Sequence, residues 1–220
     1  MESKFQTFSS QLLQWYFKED MRSFPWRITE DPYSILVAEM MLQRTKARQV
    51  VPVFLSFMKR FPSLDALSRA DLSEIEEYFS KLGLLWRAKK FKFMADKISK
   101  DFKGQVPKRK DQLLLIPGVG EYVSDAVLCF AYREDTAIVD SNVCRVLGRI
   151  FGLKVKGEAR RDPGYRQIAE RLVPKGRCRE FNWALIDYAH EVCTPRNPKC
   201  RICSLESICD YFLSQQQINR

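Results

Sequence analysis

Four cysteines crowded into seventeen residues constrain this chain more than any other feature: Cys193, Cys200, Cys203 and Cys209, spaced C-x6-C-x2-C-x5-C. Thiolates that close in sequence can converge on one centre, and soft sulfur ligands select zinc or an iron–sulfur cluster. The spacing by itself leaves a structural zinc knot and a [4Fe–4S] cluster level. Disulfides come third, because nothing marks the chain for an oxidising compartment. No apolar run approaches the roughly 20 residues that a membrane helix needs, and residues 1–14 lack the apolar core of a signal peptide. A reducing, cytosolic setting is the default. The other three cysteines, Cys129, Cys144 and Cys178, fall in helical patterns and read as core packing.

The rest of the chain reads as helix after helix. Apolar residues recur at helical spacing over 5–17, 33–42 and from 45 to about 61, and again over 73–80 and 85–102. Ser73, with Glu76 three residues later, has the pattern of a capping box. Residues 111–116 and 122–131 flank a tight turn, and helices over 141–151, 163–172 and 178–192 follow. The glutamines near the C-terminus are expected to fray. Strand alternation is nearly absent, no long repeat is visible, and the expected fold class is all-α. Lysine and arginine exceed aspartate and glutamate by ten, which favours a polyanion such as nucleic acid as partner, although a basic protein without one has the same composition.

Three local patterns carry chemistry. In Pro117-Gly118-Val119-Gly120 the glycines permit unusual φ values and leave no side chain between the backbone and an approaching group; the same residues also make an ordinary helix–helix turn. Asp140 follows Ala137-Ile138-Val139 and precedes a helical run, the place of an N-cap worth about 1 kcal/mol. Glu39 is embedded in an apolar helix, where a carboxylate is costly unless paired or protonated. A salt bridge with Arg27 and a raised pKa are the two ways out.

In the order of these motifs the chain resembles the endonuclease III and MutY branches of the helix-hairpin-helix DNA glycosylases. The cysteine spacing after a helix matches that family's cluster loop. Leu115 to Gly120 is similar to its L-P-G-V-G hairpin, and Val139 to Val146 to its V-D-x-N-V-x-R-V segment. Glu39 ahead of Met41-Leu42-Gln43-Arg44-Thr45 resembles the MutY glutamate before M-L-Q-Q-T. The likeness runs from about Phe24 to Tyr211.

This resemblance implies a two-lobed helix-hairpin-helix glycosylase fold. Residues 1–24 with 134–220 would form one lobe bearing the cluster loop (193–209). Residues 25–133 would form the other, with the helix-hairpin-helix at about 111–131 and the active site between the lobes. It also implies a [4Fe–4S] cluster on Cys193, Cys200, Cys203 and Cys209 that is structural or redox-active and not the catalyst. Gly118, Val119 and Gly120 would hold a DNA phosphate, helped by the N–H groups of the following helix. Arg196, Lys199 and Arg201 would face phosphate or simply solvent. Asp140 would stabilise an oxocarbenium-like sugar and help water attack, with Asn142 orienting it. Glu39 would donate a proton to the departing base. Gln43, Arg44 and Leu84 match positions that fill or wedge the gap left by an extruded base, although Leu84 could equally be core.

Tyr122 is an informative departure. Members with lyase activity carry a Schiff-base lysine two residues after the hairpin's last glycine, and here that position is tyrosine. A monofunctional enzyme that uses water is therefore expected. The chain ends about eleven residues after Cys209, so we expect it to lack the C-terminal domain with which MutY recognises damaged guanine. With Tyr122, Arg44 and Leu84, this favours release of thymine or uracil mispaired with guanine in base excision repair. Removal of adenine from A:G or A:8-oxoguanine pairs is the alternative kept open by Glu39 and Met41-Leu42-Gln43. A non-catalytic iron–sulfur DNA-binding protein is a third reading, opposed by the presence of both carboxylates. The expected partner is double-stranded DNA with a mismatched or damaged base, bound by a monomer, in the nucleoid-associated cytoplasm if the source is prokaryotic, with no membrane involved.

Overall fold

The computed structural model describes residues 2–19, 23–80, 85–154 and 158–218, and Leu84 lies outside them. No strand occurs among the described residues. The chain forms two compact units, Ser23–Tyr132 and the pairing of Met1–Arg22 with Arg133–Arg220. Helix α1 (Glu2–Lys18) belongs to the discontinuous unit. Helices α2 (Pro32–Leu42), α3 (Ala47–Arg60), α4 (Leu64–Arg69), α5 (Leu72–Ser80), α6 (Trp86–Asp101), α7 (Lys110–Leu113) and α8 (Glu121–Tyr132) make up the continuous one. Helices α9 (Ser141–Phe151), α10 (Pro163–Leu172), α11 (Cys178–Glu191) and α12 (Asp210–Ile218) complete the discontinuous unit.

In the continuous unit α2 is the central element. Asp31 caps it, accepting from the Ser34 N–H at 2.8 Å, and Pro32 pre-sets its first turn. Tyr33 and every residue from Ile35 to Met41 are buried, so α2 is wrapped on all sides, packing against α3 and α8. An aromatic cluster of Phe57, Phe61, Phe79 and Phe91 ties α3, α5 and α6 together, with Phe79 and Phe91 centroids 4.7 Å apart. Each such ring, fully buried, contributes about 1.5–3 kcal/mol. Lys110 on α7 bonds the fully buried Asp125 of α8 at 2.7 Å and reaches Glu121 at the same distance, which fixes the two arms of the hairpin.

One local expectation needs correction here. Helix α5 begins at Leu72, with the Asp71 carbonyl already accepting from Ile75, so Ser73 sits inside the first turn and does not cap. The serine that caps is Ser63, whose hydroxyl accepts from Ala66 N–H at 3.2 Å and starts α4, a helix too short to show periodicity.

In the discontinuous unit α9 buries Val143, Cys144, Val146, Leu147 and Ile150 along one face and ends at Gly152, whose φ of 63° closes the helix. Phe8 of α1 meets Phe181 of α11, and Trp15 stands edge-on to Tyr188 at 4.8 Å. Cys144 lies in this core, and Cys129 and Cys178 are buried as well. The glutamines expected to fray, Gln215 to Gln217, are helical in α12. That helix is anchored at its start by the Lys4–Asp210 ion pair at 2.7 Å and by the Cys209 carbonyl accepting from Leu213.

Candidate active site

Glu39 lies in the middle of α2 with 4% of its surface exposed. Burial pushes its carboxyl up from 4.5 to about 7; the Arg27 charge and a hydrogen bond from the Tyr122 hydroxyl pull the other way without cancelling it. Its Oε2 has no hydrogen-bond partner. Of the two ways to keep a carboxyl in this helix, the raised pKa dominates and the arginine offsets part of the cost. Tyr122, in the first turn of α8, is brought to Glu39 because α8 packs on α2.

The hairpin docks on the end of α2. Gly118 has a φ of 90°, and a Cβ there would stand 2.8 Å from Met40 Cε, so both conformation and space call for glycine. Gly120 does not share this need: its φ is not positive and a Cβ would meet nothing within 4 Å. Its absent side chain leaves the approach to the backbone open. Val119 between them is buried. The Gln43 amide donates to the Gly118 carbonyl at 3.0 Å, while Arg44 is exposed with a φ of 57°.

Asp140 is the N-cap of α9 and half-buried. One of its oxygens accepts from Val143 N–H at 2.7 Å and the other from the Asn142 amide at 2.9 Å. Asn142 in turn accepts from Arg145 Nη1 at 2.9 Å, and Arg145 donates to the carbonyls of Cys193 at 2.9 Å and Ala189 at 2.8 Å. A chain of hydrogen bonds thus runs from the cap carboxylate to the first cysteine of the loop. The sequence pattern pointed to Asp140 and Asn142 but gave Arg145 no task.

All four loop cysteines line one small cavity, with Val146, Ile150 and Tyr188 among its other walls. Arg149 closes one side, donating to Cys193 Sγ at 3.4 Å and to the Thr194 and Pro195 carbonyls. The Tyr188 hydroxyl lies 3.0 Å from Cys203 Sγ on another side. Among the described residues no three Cys, His, Asp or Glu side chains converge where a single ion could be held. Four thiols lining one cavity are a soft donor set, whose chemistry suits zinc or an iron–sulfur cluster. Arg196, Lys199 and Arg201 are exposed. No helix among the described residues is long and apolar enough to cross a membrane.

The chain is similar to proteins already known. The model of the HhH-GPD superfamily base excision DNA repair proteins matches residues 37–174. The chain is 36% identical to the thymine/uracil-DNA glycosylase of Methanothermobacter thermautotrophicus, over 90% of each protein. It is 38% identical to the thymine-DNA glycosylase of Aeropyrum pernix, over 91% of this chain and 92% of that one. The adenine DNA glycosylase of Buchnera aphidicola subsp. Baizongia pistaciae is 33% identical over 96% of this chain but 61% of its own length. The solved structure of a thermostable thymine-DNA glycosylase superposes with a TM-score of 0.92 at 36% identity, covering 96% of this chain and 98% of that one.

Proposed function

The chain belongs to the HhH-GPD superfamily of base excision DNA repair proteins and is a DNA glycosylase, and from that premise we propose that it is monofunctional and releases thymine or uracil mispaired with guanine. The observation that carries this reading is the Glu39–Tyr122 pair. A tyrosine bonded to a buried acid stands where a Schiff-base amine would be needed for lyase chemistry, which leaves water as the nucleophile. The thymine and thymine/uracil names of relatives similar over nine-tenths of their length support the choice of base.

In this mechanism the bond between C1′ and the base nitrogen breaks, and its electron pair leaves with the base. Glu39, protonated up to about pH 7, donates a hydrogen bond or proton to the departing ring. Asp140, aimed by Val143 N–H and Asn142, stabilises the positive sugar and takes the proton of the water that adds to C1′. Gln43, Arg44 and the hairpin residues Gly118, Val119 and Gly120 hold the duplex, the hairpin through phosphate and without reading sequence. Cys193, Cys200, Cys203 and Cys209 would hold a [4Fe–4S] cluster, which when bound supplies a structural knot and an electron-exchange site.

Turnover on duplexes with G:T, G:U, A:G and A opposite 8-oxoguanine tests the reading. Thymine and uracil should be released opposite guanine, leaving an unbroken strand with an abasic site. Release of adenine without thymine or uracil would overturn it and favour the second reading, adenine removal. A buried acid able to protonate the purine ring gives that alternative its support.

A further inference from the structure

Arg87 opens α6 and is among the largest fully buried side chains, with 2% of its surface exposed. Its Nη1 donates to the Met41 carbonyl at 2.9 Å and to Thr45 Oγ1 at 3.0 Å, while Nε and Nη2 find no partner. Burial holds its pKa down, and the nearby Arg44 charge adds to that. A guanidinium with two nitrogens unsatisfied is a poor way to fill a core, since an apolar side chain would do so at less cost. What it grips is therefore the informative part.

Met41 and Thr45 bracket a tight turn. Gln43 has φ −55° and ψ 113°, Arg44 has φ 57°, and the Thr45 N–H donates to the Leu42 carbonyl at 3.1 Å. This is type II geometry, whose third residue sits in the left-handed region that glycine or asparagine adopts without strain. Here that residue is an exposed arginine. The turn is pinned on one side by Arg87 and on the other by Gln43 donating to Gly118 of the hairpin. Strain of this kind persists where surrounding contacts over-determine it. We propose that Arg87 is a positioning residue that clamps the 42–45 turn in its strained form, so that Gln43 and Arg44 are presented to a mismatch. The proposal rests on the reading of Gln43 and Arg44 as DNA contacts given above.

Two measurements test it. In thermal unfolding, Arg44→Gly relieves the strain and should raise Tm by about 2 °C. In an Arg87→Lys background, where the clamp has lost its fork, the same change should give no rise. In binding, Arg87→Lys keeps the charge but loses the fork. It should weaken affinity for a G:T duplex about tenfold while affinity for a fully paired duplex stays within about twofold. Thr45→Val supplies both readouts if Arg87→Lys does not fold. An equal Tm rise in both backgrounds, or equal weakening on both duplexes, would sink the clamp. If the wild type releases no thymine or uracil, the reading of function fails, whereas the thermal cycle still reports on Arg87.

Discussion

Two carboxyl groups lie in two different units of this protein and illustrate how a fold assigns work. Glu39 is surrounded by the apolar residues of α2, and burial lifts its pKa to about 7. Asp140 stands at a helix start, half-buried, with a backbone N–H and an amide directed at its two oxygens. At the first, burial outweighs the Tyr122 hydroxyl and the Arg27 charge and raises the pKa; the second supplies donors that hold an acceptor in place. Burial at one carboxyl and capping at the other let one residue type meet two different needs.

The largest effect should come from removing the anion. Asp140→Asn keeps a side chain that caps helices about as well, so Tm should change little, and DNA binding should persist. Base release should fall by at least about 10³-fold, as loss of a preorganised electrostatic partner does. Unchanged product formation in a single-turnover assay would end the catalytic assignment. A smaller effect is expected at the acid. Glu39→Gln still donates through its amide, so pyrimidine release should drop by about tenfold or less, while the fall in rate as wild type ionises above pH 7 should vanish. Stability gives an independent check. The native state keeps the Glu39 proton to about pH 7 whereas the unfolded chain loses it near 4.5, so the stability tied to that proton is present below 4.5 and lost as pH rises through 7. Glutamine carries no such dependence. The Tm advantage of Glu39→Gln should therefore grow from pH 5 to pH 8, towards roughly 3 kcal/mol at about 1.4 kcal/mol for each pH unit between the two values. A difference that is flat in pH would show that Glu39 titrates normally.

Much of the framework was legible in the sequence because it rests on local signals. A cap, a 3.6-residue period and a stop residue define α9 between Asp140 and Gly152, and Pro163 does the same for the start of α10. Glu39 could be singled out because a charge inside an apolar helix is anomalous in one dimension as well as in three. Ser63 was missed because α4 has six residues, less than two turns of pattern. Gly120 was misread because a glycine's φ depends on the turn around it, and two glycines in one hairpin need not share a role. The arginines were invisible for another reason. Arg87 reaches Met41 across 46 positions and Arg145 reaches Cys193 across 48, and periodicity assigns such residues to solvent. Tertiary hydrogen bonds to backbone carbonyls leave no mark in residue spacing, so Arg87 and Arg145 stayed hidden while the carboxyls of Glu39 and Asp140 stood out.

The smallest expected effect concerns how Glu39 is tuned, and it separates burial from bonding. The Tyr122 hydroxyl donates to the Glu39 carboxyl and lowers its pKa, working against the larger effect of burial. Tyr122→Phe removes that bond while keeping the ring, so the pKa should rise further and the falling limb of the pH–rate profile should move to higher pH. At pH 6 wild type and variant both hold the proton, and their rates should agree within about twofold, since a retained ring leaves packing intact. At pH 8 the variant should be the faster of the two, an unusual sign for a substitution beside a catalytic acid. A limb that stays in place, or moves down, would mean that the tyrosine does not tune Glu39. The raised pKa of Glu39 would then be set by burial against the Arg27 charge alone.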